Sequence, residues 1–91
     1  MAHAHRTVII GSRVGLHARP ASLFVQAVTA SGHKVTVTTS EGESALADSI
    51  LSVLALGVPH GATVVVDVEG DDAEGVAESL AELLASDMDA S

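Results

Sequence analysis

The sequence predicts a two-layer α+β domain in which helices cover one face of a mainly antiparallel sheet. Three observations lead there. Short β-branched runs alternate with helical stripes in the order β-α-β-β-α-β-α, two of the runs are joined by a tight turn as in a hairpin, and the 91 residues, 47% of them hydrophobic, suffice for one core.

Arg6 to Ile10 reads as a β-branched strand, followed by a loop from Gly11 to Gly15 that ends at Leu16 and His17. From Arg19 the pattern turns helical. Pro20 suits a first turn, where its missing N–H costs nothing, Leu23, Phe24, Ala27 and Val28 share a stripe, and Gly32 stops the helix. Val35 and Val37 alternate with Thr36 and Thr38, and Ser40-Glu41-Gly42 turns the chain into a second short strand over Ser44 to Ala47. Asp48 is expected to cap a short helix in which Ile50, Leu51, Val53, Leu54 and Leu56 leave almost no polar face before Gly57 and Pro59 close it. Thr63 to Glu69 forms the last strand. Asp71 to Glu74 fits a variant capping box for a final helix with Val76, Leu80, Leu83 and Leu84 on its stripe, weakened by Gly75, and the tail after Ser86 is expected to fray.

Composition narrows the function. Without Cys there are neither disulfides nor thiolate metal sites. No apolar run approaches a membrane span, and the N-terminus lacks a signal-peptide core, so a cytoplasmic chain is the expectation. The formal net charge of -8 argues against nucleic acid as a partner. The charge is nevertheless divided: the four basic residues, Arg6, Arg13, Arg19 and Lys34, all precede the twelve acidic ones, so the N-terminal part can meet anions locally.

The informative stretch is Gly15-Leu16-His17-Ala18-Arg19-Pro20-Ala21, a histidine at a helix entrance with an arginine two residues on. The opening amides of a helix have no internal acceptors and carry partial positive charge, so Ala18 and Arg19 offer backbone donors to a phosphate held on the preceding side chain. Arg19 adds a mobile cation, imidazole supplies a nucleophilic nitrogen, and Gly15 is expected to let the backbone approach the ligand. Position alone leaves open that His17 is only a helix cap or a surface residue.

This stretch resembles the active-site signature of HPr, the histidine-containing phosphocarrier family of the bacterial phosphotransferase system. Ala47-Asp48-Ser49-Ile50-Leu51-Ser52-Val53-Leu54-Ala55-Leu56-Gly57 resembles the second motif of that family, at matching spacing. The resemblance implies an open-faced β-sandwich, a four-stranded antiparallel sheet covered on one face by three helices, as a single domain over residues 1–91 and a monomer. It implies a carrier rather than an enzyme, without cofactor or metal: His17 takes a phosphoryl group on Nδ1 from enzyme I, which draws it from phosphoenolpyruvate, and donates it to enzyme IIA. It also implies an apolar docking patch of Leu16, Ala18, Leu23, Ile50, Leu51 and Leu54. The short apolar helix supports such a patch independently, since its apolar residues cannot all face a core. Ser49 matches a regulatory phosphoserine of relatives that are acted on by a serine kinase and phosphorylase; those relatives usually have Lys before the serine, where this chain has Asp48, and helix capping is the other role for Ser49. Val14 stands where relatives often have a small polar residue, and Gln26 and Thr29 replace basic residues common on their first helix.

Two other classes compete. Asp48-Ser49-Ile50-Leu51 resembles the prosthetic-group site of acyl carrier proteins, but those are helical bundles, whereas Val35 to Thr39 and Thr63 to Glu69 favour strands. A small α+β binding module without covalent chemistry would leave His17 dispensable. His3 and His5, on one side of a strand, are expected to be solvated rather than metal ligands, and His33 and His60 carry no assigned role.

Overall fold

Seven elements form in the expected order in a computed structural model that describes residues 2–87, with Ala18 described by its backbone alone. They are β1 (His3–Ile9), α1 (Ala18–Ser31), β2 (Lys34–Thr39), β3 (Ser44–Leu46), α2 (Ile50–Ala55), β4 (Thr63–Glu69) and α3 (Ala73–Ala85). The sheet has four strands in the order β1-β4-β2-β3, every pair antiparallel. This is the open-faced arrangement the family resemblance implies.

The last strand in the chain is central. β4 pairs with β1 from Thr63↔Ile9 to Glu69↔His3 and with β2 from Val64↔Thr39 to Glu69↔Lys34. Its alternation puts Val64, Val66 and Val68 on one face, where they are buried with Val8, Val35 and Val37 beneath the helices. β1 starts three residues earlier than the sequence indicates, because pairing with β4 extends a segment whose own residues have little strand preference. Ile10 stays tied beyond its end through hydrogen bonds with Ala62 and Gly61, each 2.9 Å.

The core is closed by Phe24 and Val28 from α1, Val53 from α2, and Ala73, Ala77, Leu80 and Leu84 from α3. α3 packs on β1 and β4, while α1 lies against both α2 and α3. Gly32 ends α1 as expected, in the left-handed conformation.

Two capping expectations are corrected. α2 is capped by Ser49, whose Oγ accepts the amide of Ser52 at 3.3 Å, rather than by Asp48. The expected box from Asp71 to Glu74 does not form: Asp72 occupies the N-cap position in the left-handed region (φ 56°) without a side-chain capping bond. The physical reason is that His33 engages the carbonyl of Asp71, which assigns Asp71 to the preceding turn. Gly75 then leaves room for the Asp72 carboxylate, since a Cβ there would lie 2.6 Å from Asp72 Oδ2. At the C-terminus, Asp87 pairs with Arg13, and the rest of the tail expected to fray, residues 88–91, lies outside the described residues.

Candidate functional site

His17 sits where the loop from β1 meets α1. It is the N-cap of that helix, with extended backbone (φ -128°, ψ 165°), and its side chain makes no capping hydrogen bond, while its carbonyl accepts the amide of Ala21 at 3.4 Å. The ring is half-buried, neither sealed in the core nor fully in solvent. No acidic side chain occupies the first turn of α1, so the electropositive helix entrance is not neutralised from within the helix. Arg19, in that turn, is exposed. Pro20, at the third helical position, is buried and has no N–H to leave unsatisfied.

The loop that carries His17 is tied down at both ends. The amide of Gly11 donates to Leu84 O at 3.0 Å, a turn closes with Gly15 N to Ser12 O at 3.0 Å, and the amide of Leu16 donates to Val58 O at 2.8 Å. Gly15 is expected from sequence to admit a ligand, and the structure assigns it a different task. With φ 73° it lies against Val58 and Pro59, and a Cβ there would come within 2.4 Å of Val58 O. Its smallness lets the loop seat on the protein, which fixes the approach to His17.

The expected apolar patch divides. Leu16 is completely buried and is corrected to a core residue: the same bond to Val58 that anchors the loop turns this side chain inward. Leu23 and Leu54 are partly buried against the core, Ile50 is 36% exposed and Leu51 76% exposed. The side chain of Ala18 lies outside the described residues. α2 packs against α1, so Ile50 and Leu51 belong to the helix pair that presents His17.

The remaining histidines separate clearly. His3 and His5 lie on the exposed strand surface, with His3 Nε2 3.6 Å from Asp67 Oδ1, and no cluster of metal ligands exists among the described residues. His60 is an exposed turn residue. His33 has a structural role that the sequence does not reveal, bridging the end of α1 to the turn before α3. The pairing of Arg13 with Asp87, across 74 positions of sequence, is equally invisible to local reading.

A groove of about 490 Å³ between α1 and α3, lined by Ala27, Ser31, Gly75, Val76 and Leu83, does not include His17.

Comparison with known proteins agrees with this geometry. The family model described as the PTS HPr component phosphorylation site matches residues 4–86. The chain is 43% identical over 86 residues to the phosphocarrier protein HPr of Streptomyces coelicolor, covering 94% of this chain and 92% of that protein. It is 38% identical to the HPr of Haloferax volcanii, covering 89% and 92%. Among solved structures, HPr from Bacillus anthracis superposes with a TM-score of 0.86 at 31% identity, covering 92% of this chain and 99% of that one. Crh, the catabolite repression HPr of Bacillus subtilis, superposes with a TM-score of 0.66 at 31% identity, covering 89% and 95%. With both the match over residues 4–86 and the three-helix, four-strand architecture in agreement, the chain belongs to the HPr family of phosphocarrier proteins of the phosphotransferase system.

Proposed function

We propose that His17 is the phosphoryl acceptor of this carrier, taking the group on Nδ1 from enzyme I and passing it to an enzyme IIA domain in the cytoplasm. The observation that supports this best is the N-cap position of His17 combined with a ring that does not close onto its own helix. A capping side chain would occupy the opening amides, and the His17 ring does not do so.

In the forward transfer the Nδ1 lone pair forms the new P–N bond as the bond from phosphorus to the donor breaks. In the next transfer the acceptor on enzyme IIA forms its bond to phosphorus as the P–N bond to His17 breaks. The phosphoryl oxygens carry their charge throughout, and the α1 entrance with its first-turn amides and the Arg19 guanidinium stabilises that charge in both directions. Because the same donors serve the resting phosphorylated form and both transition states, neither state is trapped.

Ile50 and Leu51, with Leu23 and Leu54 beside them, form the surface on which both partners dock. Ser49 acts as the cap of α2; its Oγ is already engaged with Ser52 N, and the exposed Asp48 carboxylate beside it opposes a phosphate there.

Incubation with phosphoenolpyruvate and enzyme I is expected to yield one acid-labile, alkali-stable phosphate per chain, located on His17 by mass spectrometry and absent in His17→Ala. Arg19→Ala should slow transfer on the order of a hundredfold while leaving thermal stability nearly unchanged. Undiminished labelling of the His17→Ala protein would refute the assignment.

A further inference from the structure

The end of α3 is built into the loop that presents His17. Leu84 O accepts the Gly11 amide at 3.0 Å, and the fit there is so close that a Cβ on Gly11 would lie 1.9 Å from Ala85 O. Two residues further on, the Asp87 carboxylate meets Arg13 twice: Oδ2 accepts from Nε at 2.9 Å and Oδ1 from the backbone amide at 3.4 Å. Arg13 occupies the turn that Gly15 N closes on Ser12 O, just ahead of Leu16 and His17. A contact to the backbone as well as to the guanidinium constrains where that turn sits, which an ordinary surface ion pair does not do.

We propose that Asp87, acting through Arg13, is a positioning residue for phosphoryl transfer, a latch that holds the loop in the geometry from which His17 meets its partners. The proposal rests on the reading of His17 as acceptor. It makes the C-terminal end of α3, remote in sequence, part of the transfer machinery without touching the phosphoryl group.

The latch has a signature that distinguishes it from a plain charge effect. If Arg13 served only as an extra cation for the phosphate, Arg13→Gln would slow transfer and Asp87→Asn, by releasing that cation, would speed it. A latch requires the same sign for both: each variant slows phosphorylation by enzyme I about two- to fivefold, as the worth of a partly exposed ion pair dictates. The double variant should be no slower than either single one, and the exchanged pair Arg13→Asp with Asp87→Arg should recover part of the loss.

The experiment compares rates of phosphorylation by enzyme I and, on the unphosphorylated proteins, the NMR shifts of the His17 ring and the Gly15 and Leu16 amides. Glu78→Gln, which removes the ion pair between Arg6 and Glu78, serves as a control. Parallel slowing with displaced loop and ring shifts supports the latch. Opposite signs in the two single variants, or loop and ring shifts no larger than those of the control, overturn it. The NMR readout needs no phosphate, so failure of the latch is distinguishable from failure of His17 to accept one.

Discussion

His33 illustrates how much one side chain can carry without any sequence signal. Its Nδ1 lies 2.7 Å from Ser31 O and its Nε2 faces Asp71 O, and its ring packs on Gly70, where a Cβ would lie 2.6 Å from Cδ2. Carbonyl oxygens only accept, and neutral imidazole has one N–H, so both bonds form only with imidazolium. The hydrogen bond to Asp71 and then that to Ser31 hold its pKa above the ordinary 6.5, against partial burial, with the negative charges of Asp71 and Asp72 adding to the rise. A raised folded-state value means the contribution to stability is fully present below the ordinary histidine value and is lost as pH climbs through the raised one. Thermal melts of the wild type should therefore show a midpoint that falls as pH rises above the ordinary histidine value, with a smaller fall in His33→Gln. Equal slopes would exclude the bridge. Ser12 presents the opposite case, a hydroxyl fully buried with no partner among the described residues. Ser12→Ala removes an unmet polar group and should stabilise the fold by about 1 kcal/mol, read as a higher urea midpoint with unchanged slope.

Among the elements, α2 shows the division between stability and function most clearly. It has six residues, too short to persist alone, and depends on the Ser49 cap and the buried Val53. Leu51 contributes almost nothing to the core. Leu51→Ser should therefore change stability by less than about 0.5 kcal/mol yet weaken exchange with enzyme I and enzyme IIA. Val53→Ala should cost about 2 kcal/mol in urea unfolding while leaving transfer by the folded protein intact. That this helix exposes apolar surface was legible, because two turns cannot turn five large side chains inward. Which of them remain outside was not. Leu16 shows the same limit: its place beside His17 in the sequence reads as surface, but the loop's bond to Val58 turns it into the core.

Over the whole molecule, the segregation of charge along the sequence disappears on folding. Arg6 meets Glu78, Arg13 meets Asp87 and Lys34 meets Glu69, each joining the basic N-terminal part to the acidic remainder. The central place of β4 brings this about, because the last strand inserts between the first two and carries α3 back over β1. From the sequence alone came the seven elements and their order, the stop at Gly32, and a histidine at a helix entrance with an arginine nearby. These depend on side-chain alternation and on backbone preferences within a few residues. Strand order, the burial of Leu16, the N-cap at Asp72, the His33 bridge and the hold of Asp87 on Arg13 were decided only in three dimensions. Each is a contact between segments far apart in the chain, and its free energy exists only once the core has brought them together.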